Sequence, residues 1–399
     1  MKNTFSHSYF VLVLLSSFIV SGCFSNYARL RNKIDIQKQA FSSSTPIHFK
    51  YRTLNVDVLI NGKTYQMIFD TGAHSTVVSR ELANELLLKR KGGIKVGDSR
   101  GARNKLDITL IDSLSIGDVS FYDINALVVD WSEESVIKCI APDGIIGNNL
   151  IAKCNWLVDI KNGSIHLSSD SIPADSLHFV EMKYGSNKPH IDLKVNGNLI
   201  EDILFDTGSG GGLDISQEDG KEIFGPLQNA NAIEIDGTTQ GLFGAKLDTV
   251  HIFKADSLTI GSLTIPKIAL DVEKHTDKIG HKYFQQGKIY LDYTNHKIGL
   301  QLPSEEFTEK QNAQMPLIPQ LDSAGLYIGS IIIDSEPWNA GLRVGDRIKR
   351  SGHFTHDYVI TLDPCTYLSE RYDNIPGDEG YSIEPEKMDT TITIKAQQL

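Results

Sequence analysis

The chain has 399 residues, 40% hydrophobic and 22% charged, proportions of globular material that exclude an intrinsically disordered protein. Its formal net charge of −11 is spread along the chain with no basic block, which argues against nucleic acid as a partner. The 4 cysteines and 12 histidines form neither a CxxC nor an HExxH pattern, so no metal and no other cofactor is expected.

At the start of the chain, Lys2 supplies a positive end and residues 9–20 (YFVLVLLSSFIV) an apolar core too short to span a bilayer comfortably. This is the pattern of an export signal. It runs into VSGC, a branched apolar residue, two small residues and Cys23, which resembles the lipobox of bacterial lipoproteins. That resemblance implies cleavage before Cys23, lipid on this residue, and a protein of the bacterial cell envelope anchored to a membrane on its periplasmic or surface side. Residues 1–22 are then a signal peptide and residues 23–45 a polar, lipidated tether. An exported chain is free to form disulfides. Cys139 and Cys154 would close a short loop, and the bridge is expected between them, leaving Cys365 as an unpaired buried thiol.

From residue 46 the sequence reads as short alternating strands broken by Gly, Asn and Asp. Residues 54–72 (LNVDVLINGKTYQMIFDTG) form a hairpin turning at Asn61-Gly62, and residues 190–208 (HIDLKVNGNLIEDILFDTG) one turning at Asn196-Gly197. DSLSIGDVSF (residues 112–121) matches DSLTIGSLTI (residues 256–265), and residues 145–167 align without a gap on residues 278–300. Three matched blocks in one order mean that one unit occurs twice. Between the blocks, SRELANELLLKR (residues 79–90) predicts a packing helix with Ser79 as N-cap and Leu82, Leu86 and Leu87 on its apolar face.

These residues resemble the aspartic peptidases, in both their pepsin-like and retroviral forms, over residues 46–302. The first unit carries Asp70-Thr71-Gly72 and, later, DGIIGNNL with Gly147; the second carries Asp206-Thr207-Gly208 and Lys278-Ile279-Gly280. The resemblance implies two β lobes, residues 46–172 and 173–302, facing each other with Asp70 and Asp206 in one cleft. Gly147 and Gly280 would lie in strands passing close to the two turns. A linked pair of aspartates has a clear chemical use. Two carboxylates about 3 Å apart cannot both ionise, so they share a proton. The ionised one takes a proton from a water held between them, and the protonated one polarises a scissile carbonyl. Gly72 and Gly208 would let the backbone approach the carboxylates, and Thr71 and Thr207 would hydrogen-bond across the interface. Ser209 can donate to its carboxylate where Ala73 cannot, so Asp206 is expected to ionise more readily than Asp70. Two departures from the family stand out: Lys278 replaces an apolar residue, and neither candidate flap, residues 96–106 or 235–247, carries the flap Tyr of pepsin-like enzymes.

After a polar linker, residues 303–316, the final segment 317–399 resembles a PDZ domain through SAGLYIGSIII and PWNAGLRVGDRI. That resemblance implies a β/α domain that binds an extended, C-terminal peptide by strand addition; the alternative is a domain that packs on the lobes and shapes their cleft. Gly325, Leu326, Tyr327 and Ile328 are expected to receive its carboxylate. The fold class expected is mainly β: a two-lobed aspartic-protease-like fold from an internal duplication, plus the PDZ-like β/α domain. The implied protein is a monomeric aspartic endopeptidase acting on peptide or protein substrates. The other reading of the same residues is an inactive peptide-binding lipoprotein on that scaffold.

Overall fold

The first hairpin of each lobe turns on the Asn-Gly pair its sequence marks. Asn61 and Gly62 have φ of 50° and 79°, and Asn196 and Gly197 have 50° and 84°. A two-residue turn with positive φ at both positions matches the twist of the strands it joins, and Asn-Gly adopts it at least cost. Thr53–Ile60 thereby pairs with Lys63–Phe69, and Lys188–Val195 with Asn198–Phe205. The structure is a computed structural model describing residues 34–398, apart from residues 38, 99–100, 132–135, 175, 186, 228–231, 275–276, 303–312 and 374–379. The export signal, Cys23 and most of the expected linker lie outside the described residues.

The protein is mainly β, and its two lobes follow one path. In the first, Gly144–Ile146 runs parallel to Lys63–Phe69; in the second, Lys278–Ile279 runs parallel to Asn198–Phe205. Long hairpins complete each lobe, Arg103–Ile116 with Val119–Val129 and Gly244–Ile260 with Leu263–Glu273. The lobes join through the antiparallel pair Asn155–Asp159 and Lys288–Asp292, with Trp156 opposite Leu291. One hydrophobic core runs through both. At its centre Trp156 is fully buried, its ring 5.1 Å from Phe69. The indole N–H donates to the Ile151 carbonyl at 2.7 Å, so this burial leaves no orphan donor.

Three expectations are corrected here. Residues 34–45 are not wholly a tether. Asp35–Ile36 pairs with Tyr122 and Phe121, Ile34 is buried in the core, and Ser42–Lys50 is a strand of the interlobe sheet. Burial of Ile34 holds this stretch down. The predicted helix is shorter than its pattern: Arg80–Glu85 is capped by the Ser79 hydroxyl accepting from Leu82 N. The chain leaves it at Leu87, which has φ of 53° and is 84% exposed, so Leu87 does not pack. The disulfide joins Cys139 to Cys365, and Cys154 is the buried free thiol. Cys154 faces the core shared with Trp156, whereas Cys139 sits in the short helix Val136–Ile140, against the C-terminal helix Pro364–Asp373. Side-chain direction, not nearness in the chain, decides the pairing.

The C-terminal segment has its own core, including Leu317, Leu326, Ile328, Leu342, Ile348 and Ile383. Gly325 to Ile328 do not form a receiving loop. They open the strand Gly325–Ile332, which pairs with Leu317–Asp322 on one side. On the other, Tyr327 bridges to Arg347 and Ile328 N donates to the Asp346 carbonyl at 2.9 Å. Leu326 and Ile328 are buried, so this backbone serves the sheet and presents no free row of donors. Farther along the same strand, Ser330, Ile331 and Ile332 pair with Gly237, Asp236 and Ile235 of the second lobe.

A non-reducing digest should therefore yield a peptide containing Cys139 linked to one containing Cys365. Cys154, whose thiol burial pushes up, should resist alkylation until the protein is unfolded. A linked Cys139–Cys154 pair would contradict this fold.

Candidate active site

Each aspartate stands at the end of a hairpin strand, beside the strand that runs parallel to it. Asp70 N donates to the Ile146 carbonyl at 3.0 Å, and Asp206 N to the Ile279 carbonyl at 2.9 Å. The passing strands come so near the turns that only glycine fits after those residues. A Cβ at Gly147 would lie 2.4 Å from the Ser75 carbonyl carbon, and one at Gly280 would lie 2.4 Å from the Ser209 oxygen.

The two turns then lock onto each other. Thr71 N donates to Thr207 Oγ1 at 3.0 Å, and Thr207 N to Thr71 Oγ1 at 2.9 Å. Each hydroxyl in turn donates into the other lobe: Thr71 Oγ1 to the Phe205 carbonyl at 2.5 Å and Thr207 Oγ1 to the Phe69 carbonyl at 2.8 Å. Both threonines are fully buried. Four polar groups with no water to turn to are thus satisfied only by the opposite lobe.

This grip sets each glycine against the other lobe's carboxylate. A Cβ at Gly72 would sit 2.5 Å from Asp206 Oδ1, and one at Gly208 would sit 2.3 Å from Asp70 Cγ. Neither position tolerates a side chain while the carboxylates stay together. Asp70 Oδ1 accepts from Ala73 N at 3.0 Å, and Asp206 Oδ1 accepts from Gly208 N at 3.0 Å.

Burial pushes the Asp70 carboxyl up to about 8, the Asp206 charge and a hydrogen bond between the two carboxyls add to this, and the N–H groups of Ala73 and Gly72 oppose it. The pair therefore retains a proton well above the ordinary carboxyl range. The Ser209 hydroxyl, expected to donate to Asp206, accepts from Gly211 N at 3.3 Å.

Two features escaped the sequence reading. Asn148 Nδ2 donates to the Thr71 carbonyl at 2.5 Å, and its Oδ1 accepts from Tyr293 of the second lobe at 2.7 Å, bracing the turn across the interface. Its place directly after Gly147 was the available signal. Lys278, noted only as a misplaced cation, has its Nζ 3.3 Å from the Asp214 carboxylate. Asp214 in the buried run LDIS marked that partner. Above the turns, the hairpin tips meet: Phe243 N donates to Asp98 Oδ2 at 3.2 Å, and Leu242 and Phe243 pack into an apolar cluster with Ala73. Among the described residues, no three His, Cys, Asp or Glu side chains group closely enough to hold a metal ion.

A family model described as aspartyl protease matches residues 56–150, a stretch that contains Asp70, Thr71, Gly72 and Gly147. No curated protein matches the chain.

Removing one hydroxyl of the grip leaves a buried N–H and a buried carbonyl without partners, at about 1–3 kcal/mol each. Thr71→Val should lower stability by about 2–4 kcal/mol in urea unfolding, with Thr71→Ser close to the parent. Equal stability of the parent and Thr71→Val would show that the grip does not hold the lobes.

Proposed function

We propose that the protein is an aspartic endopeptidase, hydrolysing peptide bonds through a water held between Asp70 and Asp206. The observation that carries this reading is the reciprocal placement of Gly72 and Gly208, each against the other lobe's carboxylate. It puts two carboxyls in one cleft with one proton between them. The ionised carboxylate takes a proton from the water as its oxygen adds to the scissile carbonyl carbon. Asp70 gives its proton to the carbonyl oxygen, forming a tetrahedral diol. The other carboxyl passes the proton it took from the water to the amide nitrogen while a diol hydroxyl returns one to Asp70, so that the C–N bond breaks, a carboxylic acid and an amine leave, and the dyad is restored. The match to the aspartyl protease model over the first lobe supports the same reading.

For the C-terminal segment the role best supported is holding the cleft's frame. Its strand continues the hairpin of the second lobe, and its helix is bonded to the first lobe through Cys365. The outer edge of Leu317–Asp322 is already used, with the Leu317 and Pro319 carbonyls accepting from Tyr381 Oη and Arg371. Pro319 offers no N–H to an added strand. Lipid on Cys23, inferred from VSGC, would place the cleft at a membrane of the cell envelope.

The purified protein should cleave members of a diverse peptide library, and Asp70→Asn and Asp206→Asn should each lose about 1000-fold or more with unchanged circular dichroism. Cleavage retained in either variant would end the dyad reading. Activity should fall as pH rises through about 8, where Asp70 loses the shared proton.

Stability follows the same proton. The folded state holds it more tightly than an ordinary carboxyl of 3.8, so stability is full below that value and declines as pH rises to about 8. Asp70→Asn should flatten this decline in denaturant midpoints measured across pH; an equal slope in both proteins would contradict it.

A further inference from the structure

Strand register equates the two lobes position by position. In the first, Val77 lies opposite Leu127 on one side and Ile145 on the other. In the second, Asp214 lies opposite Asp271 and Lys278 in the same arrangement. Three apolar side chains on one wall are thus three charged ones on the other. The apolar trio belongs to the cluster that contains Ala73, next to the Asp70 turn. The charged trio flanks the Asp206 turn.

That second turn is also stripped of side chains. Ala73-His74-Ser75 is replaced by Ser209 and a glycine run, Gly210 to Gly212, one residue longer. A Cβ at Gly210 would lie 2.4 Å from the Arg52 carbonyl oxygen, and one at Gly212 would lie 3.4 Å from Lys282 Cδ. One at Gly211 would come 4.0 Å from Asp214 Oδ1. Arg52 packs against Gly210 and the Tyr283 ring against Gly212, with Lys282 and Asp214 close beside them.

Charge on this wall does not balance. Lys278 and Asp214 neutralise each other at 3.3 Å, with side chains only 12% and 7% exposed. Among the described residues no carboxylate lies within ion-pair distance of Arg52 or Lys282. Asp271 is, among the described residues, the one carboxyl whose charge acts on both cations, and burial pushes that carboxyl itself up to about 7. Glu273, two residues along the same strand, is itself engaged. Two cations, the exposed Arg52 and the half-buried Lys282, thus share one carboxyl beside the glycine run, and a half-buried cation left without a partner is costly.

Resting on the peptidase reading, we propose that Arg52 and Lys282, beside the glycine run, bind an acidic side chain of the substrate. A carboxylate would complete the charge there through charge-assisted hydrogen bonds. The matching place in the first lobe is filled by Val77, Leu127 and Ile145, which are buried and offer a carboxylate nothing to meet it. The protein would then select peptides that are acidic on one side of the scissile bond only.

Binding can be measured apart from cleavage by fluorescence anisotropy on the Asp70→Asn protein, with matched peptides carrying Glu, Gln or Lys at each position in turn. At one position Glu should bind about tenfold more tightly than Gln, and Lys more weakly than either. Lys282→Met should abolish that preference, Lys282→Arg should keep it, and Asp271→Asn should increase it. The parent protein's cleavage sites should show the acidic position on one side only. Peptides that bind without a Glu preference, or a preference surviving both Lys282→Met and Arg52→Met, would overturn the assignment and leave the peptidase reading standing. Failure of the parent to cut and of the variant to bind any peptide would overturn both.

Discussion

The grip of Thr71 on Thr207 is the constraint on which the rest depends. Each turn buries an N–H and a carbonyl at the lobe interface, and in each case the partner lies in the opposite lobe. Neither turn is satisfied alone, since a buried polar group without a partner costs more than the bond contributes when made. Docking of the lobes and assembly of the two carboxylates are therefore one event. The same closeness explains Gly72 and Gly208, because any side chain there would occupy the space of the opposing carboxylate.

Duplication has kept what the backbone requires and released what it does not. Asn-Gly turns, N-cap serines and the glycines under the two Asp-Thr-Gly turns recur in both lobes, each at a position with a steric or hydrogen-bonding need. Side chains that only line the walls have diverged. Val77, Leu127 and Ile145 give way to Asp214, Asp271 and Lys278 with no change in strand register. A symmetric frame thus carries asymmetric walls.

The C-terminal segment ties this frame together from outside. It touches the second lobe by strand pairing at Ile235 to Gly237 and the first by the bond from Cys139 to Cys365. Lys50 Nζ adds a contact to Ser369 at 2.8 Å, and the rings of Tyr51 and Tyr372 meet at 5.2 Å. These links converge near Arg52, so the C-terminal helix borders the charged wall as well as the hairpin above it.

Much of this protein is written locally. The duplicated hairpins, the Asn-Gly turns, the two Asp-Thr-Gly turns and the N-cap at Ser79 follow from short-range backbone preferences, and a reading of the chain alone finds them. What depends on which way a side chain faces was not available in that form. Cys154 is nearer to Cys139 in sequence but points into the core, so the disulfide forms with Cys365. Gly325 to Ile328 resemble a receiving loop, yet their backbone is taken up by neighbouring strands. Ile34 and Ile36 sit in a stretch polar enough to read as a tether, and only strand Val119–Val129 shows why they are held. Asp214 is far in the chain from Asp271 and Lys278, and the three become one charged wall only when their strands pair in register. Local propensity determined the elements; tertiary packing decided which side chains share a site, because burial and ion pairing act across space and not along the chain.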